Sequence, residues 1–314
     1  MVKRLSIIVP CYNEELVLLE TTTRLGAVLE SLIHKQKISS DSFVLYVNDG
    51  SRDKTWSIIE SLHSANPYVK GLNLAGNVGH QNALMAGLMT AKEGADILVS
   101  IDADLQDDVN VIEEMVDRYQ EGYDIVYGVR SSRDSDTFFK KNTALAFYKL
   151  MSWLGVKSVY NHADYRLMSK RAVEQLGYYK ERNLFLRGIV PLIGYETTSV
   201  YYRRSERFAG ESKYPLSKMF NFAVDGITSF SVRPLRLIAS LGFLFLFCSL
   251  IAVVYTLYVY FNGETVAGWA SLMLSVWFLG SLILIAIGIV GEYIGKIYLE
   301  VKERPRYNIE KFLS

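Results

Sequence analysis

Acidic and polar side chains follow three short apolar runs in the N-terminal half of the chain. Residues 10–14 (Pro-Cys-Tyr-Asn-Glu), 48–51 (Asn-Asp-Gly-Ser) and 102–107 (Asp-Ala-Asp-Leu-Gln-Asp) each stand directly after such a run. Carboxylates in these positions can hold a base or a ribose, and a divalent metal can lie between a carboxylate and a diphosphate. Asp102 and Asp104 can both reach one nucleotide–metal complex from a single turn. Because aspartate is also common in turns for its conformation alone, the prediction rests on the three segments together.

The apolar runs belong to a regular alternation that indicates the fold. Five β-rich runs alternate with longer stretches of helical character, and they occupy Leu5–Val9, Phe43–Val47, Val69–Leu74, Ile97–Ile101 and Asp124–Gly128. This βαβ rhythm predicts an α/β domain with a Rossmann-like, mainly parallel sheet and helices on both faces. Ligands of such sheets bind beyond the carboxyl ends of the strands, which is where the polar segments fall.

Apolar residues are concentrated near the C-terminus. Of the 314 residues 50% are hydrophobic, and no charged residue occurs from Leu237 to Gly263 or from Thr265 to Gly291. At a rise of about 1.5 Å per residue, each run is long enough to cross a hydrocarbon core of about 30 Å. We therefore expect two transmembrane helices. The alternative is a pair of core helices in a large soluble domain.

Charges beside the two runs predict the orientation of this hairpin. Arg233 and Arg236 precede the first run, the connection carries only Glu264, and basic residues follow the second run: Lys296, Lys302, Arg304, Arg306 and Lys311. Positive charge favours the cytoplasmic side, so both termini and the N-terminal domain are expected in the cytoplasm, on the inner (cytoplasmic) membrane. The apolar run Leu5–Val9 is too short for the core of a signal peptide.

Four parts of the chain follow from these features. They are a cytoplasmic domain (1–213), an interfacial amphipathic region (214–234), a transmembrane hairpin (235–298) and a cytoplasmic tail (299–314). In the second part apolar residues recur at helical spacing: Leu216, Met219, Phe220, Ala223, Ile227 and Phe230. This spacing suits a helix lying on the membrane surface, although an amphipathic helix packed on the domain has the same periodicity.

Taken together, the polar segments and the two spans resemble the membrane-anchored family 2 glycosyltransferases with a GT-A fold, the polyprenyl-phosphate glycosyltransferases related to dolichol-phosphate mannose synthase. The resemblance covers nearly the whole chain and includes residues 164–166 (Asp-Tyr-Arg) and 207–214 (Arg-Phe-Ala-Gly-Glu-Ser-Lys-Tyr). The two-span layout is similar to the bacterial subgroup that uses undecaprenyl phosphate. The sequence departs from the family at Gly76, where relatives often have Arg, and after Asp107, where they often have Pro.

That resemblance implies inverting transfer of one sugar from a UDP-sugar, glucose or a related hexose, to undecaprenyl phosphate at the cytoplasmic face. The lipid-linked product would serve as a sugar donor for cell-envelope glycosylation. The resemblance implies a nucleotide pocket lined by Pro10, Tyr12, Glu14, Asp49 and Asp102. It also implies a Mg²⁺ or Mn²⁺ site formed by Asp102, Asp104 and Gln106, with Asp104 as a catalytic residue that helps UDP to depart. The alternatives are a turn-forming Asp104 and a helix-capping Gln106.

Asp164 is expected near the sugar, where it positions the acceptor or acts as a general base. A lipid monophosphate has a second pKa of about 6 and arrives largely ionised, which favours the positioning role. A structural salt bridge to Arg166 is the alternative.

Basic residues before the interfacial region form a further candidate site. Together with Ser212, the cations Arg203, Arg204, Arg207 and Lys213 could hold the acceptor phosphate, with Arg207 also stabilising the departing diphosphate. Non-specific attraction to anionic lipid is the alternative.

Several classes are excluded by composition. With 34 Lys and Arg against 33 Asp and Glu, the net charge of +1 does not indicate a nucleic-acid binder. Cys11 and Cys248 alone cannot form a disulfide framework. The histidines, His34, His63, His80 and His162, lack the spacing of a zinc site and are interpreted as surface or core residues.

Two other functions compete with this one. A processive polysaccharide synthase would need more spans, and its Gln-x-x-Arg-Trp signature is absent from the sequence. A non-catalytic scaffold that binds sugar nucleotide or lipid has no evident need for Asp102 and Asp104. Small residues on the second span could pack helices of neighbouring copies and favour a homo-oligomer: Gly280, Gly288, Gly291 and Gly295.

Overall fold

A computed structural model describes residues 2–131, 162–182, 184–203, 231–262 and 268–314. Within these ranges the chain forms two compact units. The first contains an α/β sheet domain and includes residues 304–314, and the second contains two long helices within residues 231–303. The predicted α/β class, a mostly parallel sheet of GT-A type, is confirmed.

Eight strands form the sheet of the first unit. Their bounds are β1 Leu5–Cys11, β2 Phe43–Asn48, β3 Val69–Leu74, β4 Ile97–Ser100, β5 Ile125–Arg130, β6 His162–Ser169, β7 Thr197–Tyr202 and β8 Ile309–Leu313. Their order across the sheet is β7-β5-β6-β4-β1-β2-β3-β8. β1 pairs in parallel with both β2 and β4, and all seven of its residues are buried. A continuous apolar run of this kind is typical of a central strand with both faces covered.

Helices connect these strands and cover the sheet. Their bounds are α1 Leu18–His34, α2 Thr55–Ala65, α3 His80–Ala91, α4 Val111–Gln120, α5 Lys170–Gly177 and α6 Leu186–Ile189, followed by a 3₁₀ turn at Val190–Ile193. α3 lies close against the sheet at Gly87. A Cβ atom there would lie 2.5 Å from Ile8 Cγ2 and 2.7 Å from Val47 Cγ2. The absence of a side chain at Gly87 therefore lets α3 hold its first turn close to the strand ends.

β6 brings a distant part of the sequence to the edge where the candidate site lies. It runs antiparallel between β4 and β5, with Arg166 opposite Ser100. The beginning of β6 therefore lies beside the carboxyl end of β4, and the Ser100 hydroxyl donates a 2.6 Å hydrogen bond to the backbone oxygen of Asp164. The five sequence-predicted strands do not include β6, whose polar residues lack a continuous apolar run.

The sequence analysis assigns residues 299–314 to a separate tail, but residues 304–314 belong to the sheet domain. After the second long helix the chain forms β8, which pairs antiparallel with β3, and the backbone N–H of Ala75 donates to the Asn308 oxygen at 2.9 Å. The pairing satisfies backbone groups on the outer edge of β3 that would otherwise be open to another chain. The last residues are thus part of the sheet domain.

The second unit contains α7, Arg233–Phe261, and α8, Trp269–Val301. Both helices are long and apolar enough to cross a membrane. The Tyr293 hydroxyl donates a hydrogen bond of 2.5 Å to the Ser231 backbone oxygen, which ties the start of α7 to α8. The expected interfacial helix falls mainly on residues 214–230, which lie outside the described ranges.

Candidate active site

Two of the polar strand-end segments are joined by reciprocal hydrogen bonds. The backbone N–H of Asn13 donates to Ser51 Oγ at 3.0 Å, and the N–H of Arg52 donates back to Asn13 Oδ1 at 2.9 Å. The N–H of Glu14 also donates to Thr55 Oγ1 at 2.9 Å. Asn13 adopts a left-handed conformation with φ 57°, which asparagine tolerates better than most residues. The loops after β1 and β2 therefore form one connected wall.

The predicted nucleotide residues in this wall have different environments. Pro10 is buried within β1, whereas Glu14 is half-buried and Tyr12 is exposed. With 45% of its surface accessible, the Tyr12 ring is open to a planar base. Nucleotide contact by these three residues stays a prediction.

Asp49 already has backbone partners. Its Oδ1 accepts from the N–H of Val78 at 2.7 Å, and its Oδ2 accepts from the N–H of Gly79 at 3.0 Å and from Asn77 Nδ2 at 3.1 Å. Burial raises the pKa of Asp49, and the two backbone N–H groups oppose that shift. The carboxylate thus shapes the loop between β3 and α3, which is the loop that departs from the family pattern at Gly76.

The segment after β4 presents its polar residues on one side. Asp102, Asp104 and Gln106 are half-buried, and they alternate with the buried residues Ala103 and Leu105. Leu105 has φ 57°, an uncommon conformation for a residue with a large side chain. This alternation places the three predicted metal ligands on the accessible side of one turn.

His80 lies between two of the predicted site carboxylates. Its Nε2 is 3.5 Å from Asp102 Oδ1 and 3.8 Å from Asp164 Oδ2. It is the first residue of α3 and directly follows Gly79, which contacts Asp49. Three segments distant in sequence therefore meet at one point beyond the strand ends.

Asp164 is held by two arginines. Arg166 Nη2 donates to its Oδ1 at 2.5 Å, and Arg187 Nη2 donates to its Oδ2 at 3.2 Å. Burial would raise the pKa of Asp164, but the positive charges of Arg187 and Arg166 outweigh it and hold the pKa well below its usual range. The carboxylate is therefore an ionised acceptor of fixed orientation. The ion pair with Arg166, which is the alternative considered from the sequence, is therefore present.

Asp107 holds the loop after β4 in place. Its Oδ1 accepts from the Tyr202 hydroxyl at 2.6 Å and from Arg130 Nη2 at 3.1 Å. Tyr202 ends β7 and Arg130 ends β5. These contacts fix the loop that carries Asp102 and Asp104 to two neighbouring strand ends.

The donor atoms of this loop suit a hard divalent cation. Burial and the negative charges of Asp107, Asp164 and Asp104 raise the pKa of Asp102, against the influence of His80, so positive charge would be favourable here. Mg²⁺ and Mn²⁺ bind such carboxylate oxygens and commonly share them with substrate phosphates. Within the described residues, no three His, Cys, Asp or Glu side chains are grouped closely enough to enclose a metal by themselves. The arrangement therefore fits an ion shared between the protein and a diphosphate.

The predicted acceptor-phosphate residues are mostly outside the described ranges. Arg203 is exposed and follows β7 directly. The remaining members fall on residues 204–230, outside the description: Arg204, Arg207, Ser212 and Lys213. Their role stays a prediction.

Sequence reasoning missed His80 and Arg187 as members of the site. A weak signal for His80 is present in the sequence, because this residue follows a glycine-containing turn at the start of a helix beyond β3, at the same sheet edge as the other polar segments. Arg187 had no such signal. It reaches Asp164 from α6, a helix of only four residues.

Comparison with known proteins identifies the family to which the chain belongs. Residues 6–177 match the family model described as glycosyl transferase family 2, and residues 233–297 match the model described as the GtrB C-terminal hairpin. The first match covers more than half of the chain, so the chain belongs to glycosyl transferase family 2. The protein is accordingly a glycosyltransferase, and the resemblance inferred from its motifs is confirmed.

Individual relatives extend over the full length. The chain is 56% identical over 306 residues to the uncharacterized glycosyltransferase YkoT of Bacillus subtilis, covering 98% of this chain and 91% of the relative. It is 40% identical over 314 residues to the SfII prophage-derived bactoprenol glucosyl transferase of Shigella flexneri, covering 98% of each. A solved structure of glucosyl-3-phosphoglycerate synthase from Mycobacterium tuberculosis has a TM-score of 0.47 at 15% identity, covering 73% of this chain and 78% of that one.

Proposed function

We propose that this enzyme transfers glucose from UDP-glucose to undecaprenyl phosphate, with inversion at the anomeric carbon, on the cytoplasmic face of the membrane. One observation carries the proposal. Asp102, which follows β4, and Asp164, which lies in β6, both approach Nε2 of His80 at one edge of the sheet. The bactoprenol glucosyl transferase of Shigella flexneri, similar over nearly the full length, supports glucose and a polyprenyl acceptor.

A single displacement accounts for the reaction. An oxygen of the acceptor phosphate attacks C1 of the sugar, a new C1–O bond forms, and the C1–O bond to UDP breaks with its electron pair leaving on the diphosphate. The acceptor, with a second pKa of about 6, arrives largely ionised and needs little help from a base. Asp164, kept ionised by Arg166 and Arg187, is therefore proposed to orient the sugar and the acceptor.

Asp102 and Asp104, with Gln106, are proposed to hold Mg²⁺ or Mn²⁺. When bound, the cation supplies Lewis-acid stabilisation of the charge on the leaving diphosphate. The protein contributes the position of the two carboxylates, because Asp107 fixes their loop to Tyr202 and Arg130.

The acceptor phosphate is proposed to bind the basic segment formed by Arg203, Arg204, Arg207, Ser212 and Lys213. Arginine offers a planar fork to phosphate, whereas general attraction to anionic lipid depends on charge alone. Arg207→Lys separates the two, since it keeps the charge and loses the fork. If Arg207 contacts the acceptor phosphate specifically, Arg207→Lys should clearly lower the rate of transfer. Full activity of Arg207→Lys would mean that Arg207 acts only as a positive charge at the membrane surface.

The connectivity of the chain supports the membrane orientation. The chain leaves the sheet domain before α7 and returns to it as β8 after α8. If both helices cross a membrane, both ends of the hairpin must lie on the side of the sheet domain. The basic residues at those ends favour the cytoplasm. Association into a homo-oligomer through α8 stays a prediction.

Transfer can be tested directly with the full chain in membranes. Undecaprenyl phosphate is supplied with a panel of labelled nucleotide sugars, and the label in the organic extract is measured. The proposal requires an extractable product from UDP-glucose that Asp104→Asn does not form. A product from another nucleotide sugar alone would exclude glucose, and no product from any donor would overturn the proposed reaction.

A further inference from the structure

We infer that His80 binds a hydroxyl group of the donor sugar and contributes to the choice of hexose. The inference rests on the proposed function, which supplies a nucleotide-bound hexose as the ligand. It gives a role to His80, which the motifs recognised in the sequence do not include.

The geometry suits an atom that lies to one side of these side chains and bonds to His80 and a carboxylate together. Nε2 of His80 lies 3.5 Å from Asp102 Oδ1 and 3.8 Å from Asp164 Oδ2. Both distances exceed the usual limit of about 3.2 Å for a hydrogen bond from nitrogen to oxygen. An atom that accepts from the imidazole and donates to a carboxylate would satisfy both sides.

Chemistry selects a hydroxyl group for this position. A hydroxyl group donates one hydrogen bond and accepts others, so it can pair with an N–H group and a carboxylate together. A phosphate oxygen only accepts at neutral pH, so it could pair with the imidazole N–H but could not donate to either carboxylate. Of the groups on a nucleotide sugar, the sugar hydroxyls therefore fit best between His80, Asp102 and Asp164.

Two of the three side chains are exposed, whereas Asp164 is only 12% exposed. His80 is 43% exposed and Asp102 is 39% exposed, so a ligand can reach them. Gln81, the next residue, accepts a 2.8 Å hydrogen bond at Oε1 from the N–H of Leu186, beside the Arg187 that contacts Asp164. The first turn of α3 is therefore tied to the segment that orients Asp164.

The test compares His80→Ala and His80→Gln with the parent enzyme. His34→Ala is the matched control, because His34 is an exposed histidine at the far end of α1. Transfer is measured with UDP-glucose and with its 2-, 3-, 4- and 6-deoxy analogues, and UDP binding is measured by calorimetry. UDP carries no sugar, so its affinity reports separately on the nucleotide and diphosphate contacts.

His80→Ala is expected to lower kcat/KM for UDP-glucose about 10-fold, the effect of one lost hydrogen bond. One analogue lacks the hydroxyl that His80 contacts. With that analogue, kcat/KM of the parent enzyme and of His80→Ala should differ by about 2-fold or less, which is the usual error when independent effects are added. His80→Gln keeps an N–H donor and should recover part of the loss. UDP affinity and the melting temperature should match those of His34→Ala.

Two results would overturn the inference. If His80→Ala lowers kcat/KM equally for UDP-glucose and for all four deoxy analogues, His80 contacts no sugar hydroxyl. A parallel loss of UDP affinity would mean that it acts on the diphosphate or on the loop. An inactive parent enzyme with every donor would instead reject the proposed function, and this inference with it.

Discussion

The carboxylate of Asp49 accepts a 2.7 Å hydrogen bond from the backbone N–H of Val78. This contact joins the turn after β2 to the loop after β3, which leads directly into His80. A residue expected at the nucleotide thus also determines the shape of a neighbouring loop. One substitution at Asp49 therefore tests both functions of this carboxylate.

Asp49→Asn should destabilise the fold and weaken donor binding. The amide keeps one acceptor oxygen but places an N–H₂ group against the N–H of Val78 or Gly79. These donors are only partly buried, so the loss of their acceptor is expected to cost about 1 kcal/mol. Thermal unfolding and the KM for the donor measure the two effects. Asp41→Asn is the control, because its exposed pair with Arg4 is expected to contribute only about 0–1 kcal/mol. Equal melting temperatures for the two variants would contradict this account of Asp49.

Gly50→Ala should disrupt the same contact between loops. Gly50 has φ +62°, and a Cβ atom would lie 2.5 Å from the Asn77 backbone nitrogen and 2.6 Å from the Gly76 carbonyl carbon. The strain of such a conformation is about 1–3 kcal/mol, and the overlap with backbone adds to it. Gly26→Ala in α1 meets no atom within 4 Å and should instead stabilise the helix by about 1 kcal/mol. Opposite shifts in melting temperature are expected, and shifts of the same sign would be inconsistent with the loop geometry.

The sheet was predictable where local patterns determine structure. Val69–Leu74 forms a strand with the bounds expected from its apolar run, and the other four expected strands differ at their ends by one to three residues. β8 was not predictable in this way, because Ile309–Leu313 follows an apolar hairpin and its pairing with β3 depends on contacts more than 200 residues apart. Long-range pairing has no signature in a short window of sequence.

The site was predictable in its acidic residues and not in their partners. Asp102 and Asp104 stand directly after an apolar run, so the end of β4 determines their position. The approach of His80 to Asp164 depends on the insertion of antiparallel β6 beside β4, and that arrangement requires the assembled sheet.

Asp104→Asn tests the proposed metal site. The substitution preserves size and removes the negative charge that would hold a divalent cation. We expect most Mg²⁺- or Mn²⁺-dependent turnover to be lost while the melting temperature without metal changes little. Activity is measured across a titration of each metal. Parent-like activity at every concentration would show that Asp104 is not a ligand.

Acid should weaken the fold through Asp124. Hydrogen bonds from Arg171 Nε and Ser169 Oγ, at 2.6 and 2.7 Å, lower the pKa of this buried carboxyl group despite its burial. The unfolded value is about 3.9, so the stabilisation is present above that pH and is lost as the pH falls through the lower folded pKa.

Asp124→Asn should therefore lower the melting temperature at pH 7 and have a smaller effect at about pH 3. Unfolding at the two pH values measures the difference. Glu121→Gln removes the surface pair with Arg118 and is the control. If the effect of Asp124→Asn were the same at both pH values, the carboxylate would not be the source of the pH dependence.

β8 should support the turn after β2 through a short chain of hydrogen bonds. Glu310 Oε2 accepts from Asn73 Nδ2 at 2.7 Å, and Asn73 Oδ1 accepts from Asn48 Nδ2 at 2.7 Å, next to Asp49. Glu310 lies where the register between β3 and β8 shifts, and such irregularities commonly redirect a side chain. The end of the chain is thereby connected to the turn after β2.

Glu310→Ala should cost about 1 kcal/mol and raise the KM for the donor, because Asn73 loses the acceptor that orients its amide. Lys311→Ala is the matched control on the same strand. The Lys311 side chain pairs with Glu60 at the surface, at 2.8 Å, where an ion pair contributes about 0–1 kcal/mol. Melting temperature and donor KM are measured for both variants. A raised KM in Glu310→Ala alone would support the connection, whereas equal KM values would limit β8 to covering the edge of β3.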